Sequence, residues 1–515
     1  GGAIYNSRGT IGNITGDFVG NYAKSETGEA GGGAIYNIGR IGNITGDFIG
    51  NYASSAYSVY SRYSDNKDNA SGGAIRNSGT IGNIIGDLIG NYVSATATNS
   101  SSAAYGGAIY NYGTIDNISG DLIGNYASAT ATATDSSSAA YGGAIYNYNK
   151  GTITIAGAST FTDNYVEVNG KKTSNAIHNL GTINFEGTNI VINDAITGEN
   201  SKSGSNIYKS IFNFAGQRTA TSDNDVITLN NSLTNTSTDK TLGNIEVNLA
   251  KGTLKLGHYK SEKFGNSYGS LGEGVDFNVT GGSLTTQDGI ITHDHNLGNL
   301  KLSADLNTSI DVDLSNAKGD ELTGSTKATS TEGKKILIDN INVLADGTSH
   351  IVKIQVADAN IKDVMDLAND VKVVMNPSDT NSYLVVYEKD ADFGNLKFGN
   401  VKALETAVQL ETASNKVFAM GSDISTDTDL GALTGASLSI SGNGHTIDGA
   451  GFGGMTIADN QTVSLNDVTV KGFDGAFAEN NGTMNIAAGA GNELNLNSGI
   501  SGSGDINAKG EGKLN

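Results

Sequence analysis

Short apolar stretches alternate with glycine and asparagine along the first 190 residues of the chain. The hexapeptide GGAIYN at residues 1–6 returns as GGAIYN at 32–37, GGAIRN at 72–77, GGAIYN at 106–111 and 142–147, and SNAIHN at 174–179. A second block, GNITGDFVGNYA at 12–23, returns with small changes at 42–53, 82–93 and 116–127. Helices need longer uninterrupted segments and are destabilised by glycine. The pattern therefore predicts short strands with glycine and asparagine corners.

The first five copies recur at intervals of 31 to 40 residues, because the stretch after each second block varies in length. Fixed cores with variable inserts at this period are typical of solenoids. We predict an all-β fold, a right-handed parallel β-helix (β-solenoid) that is elongated, with coils stacked about 4.8 Å apart. We expect the variable stretches, at residues 24–31, 54–71, 94–105 and 128–141, to be loops leaving one edge.

Substitutions within the hexapeptide indicate which side chains point inward. The fourth position is isoleucine in all six copies, which predicts a core position. The sixth is always asparagine, and we expect these amides to bond from coil to coil. The fifth position accepts arginine and histidine, which predicts that it faces water. Its occupants, which we call the tyrosine column, are Tyr5, Tyr36, Arg76, Tyr110, Tyr146 and His178.

Composition narrows the classes of partner. The 515 residues include 71 glycines, one proline, no cysteine and no tryptophan, and the formal net charge is −21. Without cysteine there are no disulfides and none of the usual zinc sites. A strongly acidic surface repels phosphate backbones and anionic membranes, and no run of 18 apolar residues occurs. We expect no nucleic-acid partner and no membrane insertion of this fragment.

Each GGAI motif is followed by FxxN, at Phe18–Asn21, Phe48–Asn51 and Phe161–Asn164, with Leu88 and Leu122 replacing phenylalanine in two copies. This pairing resembles the repeats of polymorphic outer membrane proteins and, more broadly, the passenger domains of bacterial autotransporters. The resemblance covers residues 1–185. It implies a secreted β-helix on the bacterial cell surface, attached to the outer membrane through a barrel not present in this chain, and a part in virulence. Since the chain begins within a repeat, we interpret it as a fragment.

The regular unit fades after residue 190, which predicts three regions. We expect the repeat β-helix at 1–190, an irregular middle section at 191–400 and further β-helix coils at 401–515. The middle section is either irregular solenoid or carries a small β subdomain near 330–400. Residues 359–370 and 400–418 have helix-like spacing and few glycines, and we expect the second segment to contain a short helix that marks a boundary. In the last region the predicted core positions are Ile440, Ile447, Ile457, Leu465 and Val468.

Acidic residues decide whether an enzyme is expected, because glycoside cleavage needs two carboxylates at a set separation. One acid recurs in each coil and obeys the repeat, which indicates a structural role: Asp17, Asp47, Asp87 and Asp121. Asp427 and Asp429 lie two residues apart without a matching cluster. We predict no catalytic residues and no enzyme activity. The alternative is a carbohydrate-active β-helix enzyme, a polysaccharide lyase or hydrolase, which would show acids that break the coil pattern.

Metal binding has one candidate, His293 and His295 with Asp311 or Asp313. We favour a solvated strand end for the two histidines, because no third ligand has convincing spacing, and a corner position for His445. We therefore expect no metal and no cofactor.

The candidate ligand contacts are Tyr5, Tyr36, Tyr110 and Tyr146, because aromatic side chains beside polar groups suit sugar stacking or protein contact. The alternative is that the rings stack and stabilise the coil by about 0.2–1 kcal/mol per pair. We predict a non-enzymatic cell-surface passenger, an adhesin or surface-coat protein that presents loops from a rigid stalk. Its partner would be a host or neighbouring-cell surface protein or glycan, or a second copy. A structural, self-assembling surface fibre is the further alternative.

Overall fold

The structure is a computed structural model that describes residues 1–26, 28–57, 68–98, 101–132, 137–214, 224–346, 351–375, 382–400, 404–410 and 416–515. Its contacts divide the chain into two compact units. The first comprises Gly1–Leu284 and His295–Ala304, and the second comprises Thr285–Asp294 and Asp305–Asn515. The boundaries expected at 190 and 400 lie inside the first and the second unit respectively.

The first unit is a parallel β-solenoid, as predicted. Equivalent residues of successive copies pair directly, so that Ile35 lies between Ile4 and Ile75. The hexapeptide strands are Ile4–Asn6, Ile35–Asn37, Ile75–Asn77, Ile109–Asn111, Ile145–Asn147 and Ile177–Asn179. The other strands of these coils are Thr10–Ile11, Ile14–Thr15, Phe18–Val19, Arg40–Ile41, Ile44–Thr45, Phe48–Ile49, Thr80–Ile85, Leu88–Ile89, Thr114–Ser119, Leu122–Ile123, Thr152–Thr162 and Thr182–Ile192. Together these strands form the main coil.

Asparagine ladders hold the main coil in register. In the hexapeptide ladder each Nδ2 donates to Oδ1 of the next copy at 2.8–2.9 Å, from Asn6 through to Asn179, as predicted. The asparagines of FxxN form a second buried ladder, which runs from Asn21 to Asn164 with steps of 3.0 Å. Asp194 ends it by accepting both the backbone N–H and the Nδ2 of Asn164. Buried amides are thereby satisfied along the whole array.

The variable stretches are where the structure differs from the prediction. Each begins and ends as a strand, and these strands pair from copy to copy, so the loop prediction is wrong at both ends of the stretches. Residues 27, 58–67, 99–100 and 133–136, between those ends, lie outside the described residues. The outer sheet contains Tyr22–Ser25, Tyr52–Tyr57, Tyr92–Ala97, Tyr126–Ala131, Tyr165–Val168 and Lys171–Ser174. The inner sheet contains Ala30–Gly31, Asp68–Ser71, Ser102–Tyr105 and Ser138–Tyr141. Alanine and valine side chains of both sheets share one buried cluster. We call this layer the side sandwich.

A hairpin closes one edge of the outer sheet. Tyr165–Val168 and Lys171–Ser174 pair antiparallel across Asn169 and Gly170, which both have positive φ, 49° and 82°. Asn-Gly is the preferred sequence for such a two-residue turn. The returning strand carries Lys171 and Lys172, and charged residues on an edge discourage pairing with another chain.

Parallel coils continue beyond residue 190, with insertions. A further asparagine ladder links Asn184, Asn213, Asn248 and Asn278 at 2.8–2.9 Å. The strands are Ile196–Gly198, Ser201–Ser203, Asn206–Tyr208, Ile211–Phe214, Val226–Leu229, Ser232–Asn235, Ile245–Leu249, Thr253–Leu256, His258–Ser261, Gly265–Tyr268, Ser270–Val279, Ser283–Thr285 and His295–Leu302, with a 3₁₀ turn at Lys240–Leu242. His258–Ser261 and Gly265–Tyr268 form an antiparallel hairpin.

The second unit begins with long strands and an antiparallel section. Tyr383–Lys389 pairs antiparallel with both Gly394–Asn400 and Lys416–Ala419. The helix-like spacing at 359–370 does not produce an α-helix. A 3₁₀ turn at Lys362–Val364 leads into the strand Met365–Met375, which pairs with Ile336–Ala345. The remaining strands here are Leu306–Asp313, Lys318–Gly319, Leu322–Thr323, Thr329–Ser330 and Val352–Ala357.

One α-helix, Leu404–Gln409, occurs within the segment expected to be helical at 400–418, of which residues 401–403 and 411–415 lie outside the described residues. The buried Lys416 donates from Nζ to the carbonyls of Leu410 and Thr434, both at 2.6 Å. Among the described residues, no helix is long and apolar enough to cross a membrane.

The last hundred residues return to parallel coils. The predicted core positions Ile440, Ile447, Ile457, Leu465 and Val468 are all fully buried. The strands are Ile424–Ser425, Gly431–Ala432, Ser437–Ser441, Thr446–Asp448, Gly453–Ile457, Thr462–Asn466, Thr469–Lys471, Asp474–Asn480, Thr483–Ala488, Glu493–Leu496, Ile500–Ser501, Asp505–Gly510 and Lys513–Leu514. Their ladders are parallel throughout.

Candidate binding site

The tyrosine column runs along the hexapeptide strands, but its exposure changes along the array. Tyr5 is 60% exposed, in line with the prediction that this position faces water. Tyr146 is only 5% exposed and His178 only 1%. The prediction is therefore wrong at these two copies, and Tyr146 is a buried member of the candidate ligand contacts, whereas Tyr36 and Tyr110 are half-buried.

The side sandwich covers the later part of the column. Two strands of the inner sheet end in Tyr105 and Tyr141, and these rings lie against the column. The ring centroid of Tyr105 is 4.8 Å from that of Tyr146, and Tyr141 is 4.7 Å from His178. The column is thus buried by contacts between the main coil and the side sandwich. Substitution patterns within the hexapeptide do not reveal this burial.

This cover is absent at the two earlier copies. In the inner sheet Ser71 occupies the position of Tyr105, and Gly31 pairs with Ser71 in the copy before it. A pocket of roughly 190 Å³ opens there. We call it the Arg76 pocket; its lining residues are Glu29, Asn69, Ser71, Arg76, Tyr105, Tyr110, Tyr146 and Tyr148.

Arg76 is the arginine of the tyrosine column, and three neighbouring side chains hold its guanidinium in place. Its guanidinium carbon lies 4.9 Å from the ring centroid of Tyr36 and 5.5 Å from that of Tyr110, an arrangement that favours a cation–π contact. Nη1 lies 3.2 Å from Oε2 of Glu29. A Cβ at Gly31 would be 2.6 Å from Cδ of Arg76, so only glycine leaves room for the side chain in this position.

Two polar atoms in the lining have no hydrogen-bond partner among the residues that the structure describes. These are Nε of Arg76, a buried donor, and Oδ1 of Asn69, a buried acceptor. Leaving a buried donor or acceptor unsatisfied costs about 1–3 kcal/mol. A polar ligand in the pocket would remove that cost for both atoms.

The hydroxyls of Tyr105 and Tyr110 in the pocket are neutral. Burial raises the pKa of Tyr105 to about 12. Burial also raises the pKa of Tyr110, against the smaller opposing effect of the Arg76 charge. Both hydroxyls therefore keep their protons at ordinary pH and can donate as well as accept hydrogen bonds.

A second aromatic row lies on the outer sheet and was not among the predicted sites. Tyr22, Tyr52, Tyr92, Tyr126 and Tyr165 stack in order, with centroid separations of 4.9–5.4 Å. We call this row the tyrosine ladder. Nζ of Lys24 lies 5.5 Å from the Tyr22 and Tyr52 rings, and Nζ of Lys263 lies 3.7 Å from the Tyr165 ring. The signal in the sequence was the tyrosine that directly follows the asparagine of each FxxN or LxxN motif.

The acids that recur once per coil have the structural role that was predicted. Oδ1 of Asp17, Asp47 and Asp87 each accepts the backbone N–H of the equivalent aspartate in the next copy at 2.8–2.9 Å. Asp121 accepts the N–H of Thr160 at 2.8 Å. These carboxylates continue the backbone ladder at a corner.

The other acids singled out from the sequence lie in the second unit. Oδ1 of Asp429 accepts the N–H of Gly453 at 2.7 Å. Asp427 is exposed and shares a hydrogen bond with Glu405 of the α-helix; burial, with the neighbouring Asp427, raises the pKa of Glu405. The structure therefore joins Asp427 to Glu405, a residue that the sequence analysis did not select.

The candidate metal ligands are used in other ways. His293 is exposed, in line with a solvated strand end. The same prediction is wrong for His295, which is buried with Nδ1 3.2 Å from the carbonyl of Gly269. Oδ2 of Asp311 accepts the N–H groups of Asp288 and Gly289, and Asp313 bonds to Ser315 and Asn316. His445 is at a corner, 3.5 Å from Asp423. In the part of the chain that the structure describes, no group of three or more metal-ligating side chains occurs.

A second cleft, of roughly 400 Å³, lies between the hairpin at 258–268 and the end of the second asparagine ladder. Its wall includes Asp194, whose Oδ1 accepts from Oγ of Ser174 at 3.3 Å. Burial raises the pKa of Asp194 to about 6, although the hydrogen bonds from Asn164 oppose the shift.

Comparison of the chain with protein-family models, with curated proteins and with solved structures finds no match. The two aromatic surfaces are therefore assigned on their own geometry. The Arg76 pocket combines tyrosine rings with a paired cation and two unsatisfied polar atoms, and the tyrosine ladder presents the edges of a stacked row.

Proposed function

We propose that the chain is a non-enzymatic passenger of the bacterial cell surface, an adhesin or surface-coat protein that holds a binding surface on a rigid β-solenoid. The observation that supports this most is the pairing of the inserts from copy to copy. It turns stretches of variable length into a folded layer with a tyrosine ladder on one side and the Arg76 pocket beside the main coil.

Two physical features favour recognition over a purely structural role. Tyrosine combines a large apolar ring with a hydroxyl and loses little conformational entropy on binding, which is why it is enriched at interfaces. Buried asparagine ladders join the copies of the main coil by hydrogen bonds, so the surface above it is held in one conformation before a partner binds. Preorganisation of this kind reduces the cost of association.

The proposed partner is a protein or a glycan on a host cell or a neighbouring cell. The chain would be extracellular, attached to the outer membrane through a barrel outside this chain. A formal charge of −21 disfavours nucleic acid and anionic lipid as partners.

The second candidate function is a carbohydrate-active enzyme, and one observation favours it. A buried carboxyl with a raised pKa, near a second and exposed carboxyl, has the protonation behaviour of a general acid. Glu405 and Asp427 have that character. Glu405→Gln would abolish cleavage of a polysaccharide if this pair were catalytic, and Asp429→Asn, two residues away from Asp427, is the matched control.

The experiment that tests the proposal uses beads coated with the purified chain. We expect the beads to adhere to cell monolayers or to bacteria more than beads coated with the heat-denatured chain, and added soluble chain to compete. Polysaccharides from the same surfaces should keep their length on size-exclusion chromatography after incubation. Shortened polymer would favour the enzyme, whereas no adhesion together with filament formation would favour a self-assembling fibre.

A further inference from the structure

The Arg76 pocket lies where the repeat is broken, and three departures from the repeat meet there. Arg76 replaces a tyrosine of the column, and Ser71 and Gly31 stand in the inner-sheet positions that Tyr105 and Tyr141 hold in later copies. A residue whose role is only to stabilise the coil is expected to be the same in every copy of the repeat. Differences that coincide in space and open one pocket indicate a site.

The unsatisfied atoms restrict the chemistry of the ligand. Nε of Arg76 requires an acceptor and Oδ1 of Asn69 requires a donor. A carboxylate accepts but does not donate, and an ammonium group donates but does not accept. A hydroxyl group does both, and adjacent hydroxyls on one ring supply a donor and an acceptor together.

The charge of the pocket also favours a neutral ligand. The guanidinium of Arg76 already lies 3.2 Å from the Glu29 carboxylate, so the pair contributes no net charge. The tyrosine hydroxyls are neutral because burial raises the pKa of Tyr105 and of Tyr110. An anionic sugar would have to compete with Glu29 for Arg76.

Size restricts the ligand further. The roughly 190 Å³ of the pocket is below the range of about 300–1,000 Å³ that is usual for drug-sized ligands. It suits one ring with its hydroxyls rather than a nucleotide or a long oligosaccharide. Four tyrosines line the pocket together with the polar side chains of Glu29, Asn69, Ser71 and Arg76. Such a lining suits a ligand that carries many hydroxyl groups around a compact ring.

From these observations we infer that the Arg76 pocket binds a single neutral pyranose unit of a glycan, whose hydroxyls bridge Nε of Arg76 and Oδ1 of Asn69. This inference rests on the proposed adhesive function and gives it a substrate class. The sugar ring lies beside Arg76 in the space left open at Ser71, next to Tyr105 and Tyr110. The rest of the glycan extends toward the exposed earlier copies, where Tyr5 is open to solvent.

The test is saturation-transfer NMR on the full chain with methyl glycosides of glucose, galactose, mannose and N-acetylglucosamine. Methyl glucuronoside and N-acetylglutamine methylamide serve as anionic and amide probes. We expect at least one neutral glycoside to receive saturation, and to bind at least tenfold more tightly than either probe. No transfer to any neutral glycoside, or tighter binding of the glucuronoside or the amide, would overturn the inference.

Variants of the chain test whether the glycoside binds in the Arg76 pocket. Ser71→Tyr with Arg76→Tyr copies the residues of the following repeat, so the fold should survive while the pocket is filled; we expect at least tenfold weaker binding. Asn69→Leu, which removes the acceptor, should have a similar effect. Arg40→Ala removes an exposed arginine outside the pocket and should bind as the unmodified chain does. Unchanged binding by the filled variant would contradict the inference.

The experiments distinguish a failure of the pocket assignment from a failure of the proposed adhesive function. If coated beads adhere to cells but no glycoside binds, the pocket assignment is wrong and the adhesive function stands. If a neutral glycoside binds at the pocket but coated beads do not adhere, the adhesive function is wrong and the pocket stands.

Discussion

The main coil and the side sandwich are both built by parallel pairing of successive copies, yet their interiors differ. The main coil buries isoleucine, leucine and phenylalanine, with asparagine ladders at two corners. The side sandwich buries alanine and valine, and no equivalent amide ladder occurs between its described strands. The copies keep the first almost unchanged and vary the second in both length and residue type.

Because of this difference, the main coil determines the stability of the fold, whereas the side sandwich can vary and set the binding specificity. Large side chains and satisfied buried amides fix the coil, so a change there disturbs every neighbouring copy. Alanine buries little area per residue, so the sandwich gains less from burial and tolerates inserts of different length. The position at which the sandwich meets the coil can change without loss of the fold, and there Gly31 and Ser71 open the Arg76 pocket.

The largest expected effect is in the main coil. Ile109→Ala removes a fully buried side chain and should lower the free energy of unfolding by about 2–5 kcal/mol. Denaturant unfolding followed by circular dichroism measures it. Ile85→Ala, at a side chain that is 48% exposed, is the control and should change the midpoint little. Equal effects of the two variants would mean that the coil core is not where the structure has it.

A charge in the sandwich should act locally. Ala53 and Ala56 lie on one strand, Ala53 buried between the sheets and Ala56 exposed. Ala53→Asp buries an unpaired carboxylate, which costs several kcal/mol, so we expect the sandwich to open and to be cleaved by protease while the main coil stays folded. Ala56→Asp should remain resistant. Cleavage of both variants at the same rate would show that the strands are not packed together.

Asp194 should give the stability a pH dependence. Its pKa rises from an ordinary value near 3.8 to about 6 in the folded chain. Between these values the folded state binds the proton and the unfolded state does not, so stability falls as pH rises from about 4 to 6 and is then level. Asp194→Asn should remove this decrease in the free energy of unfolding, measured by denaturant unfolding at several pH values. Asp87→Asn is the matched control and should show the same decrease as the unmodified chain.

The smallest expected effect concerns the recurring aspartates. Asp87→Ala removes the acceptor for the N–H of Asp121 and should cost about 0.5–1.5 kcal/mol. Asp87→Asn retains an acceptor oxygen and should restore most of the stability in the same unfolding assay. A loss of cell adhesion without a loss of stability would instead give these aspartates a role in binding.

The main coil was predictable because its signals are local and strong. Isoleucine never varies at the inward position, and asparagine never varies at the corner, so register and ladder follow from the alignment of copies. The asparagines of FxxN recur in the same way and indicate the second ladder. Asp194 ends that ladder, because its carboxylate accepts hydrogen bonds from Asn164.

The side sandwich could not be predicted in the same way. Segments such as SATATA alternate alanine with serine or threonine, and the small contrast in hydrophobicity conceals the strand period. Burial of Tyr146 and His178 depends on Tyr105 and Tyr141, which the chain brings to them from the inserts. In residues 359–370 the buried Met365 and Leu367 alternate as in a strand, and pairing with Ile336–Ala345 overrides the helix-like spacing.

The central claim is that the described ends of the inserts are paired strands rather than loops. Hydrogen exchange followed by mass spectrometry tests it directly on the peptides that contain Tyr92–Ala97 and Tyr126–Ala131. The account predicts that these amides exchange slowly, on the time scale of the hexapeptide strands, and that Ala53→Asp releases them while the hexapeptide strands stay protected. Exchange of the inserts in the unmodified chain at the rate of an unfolded peptide would contradict it.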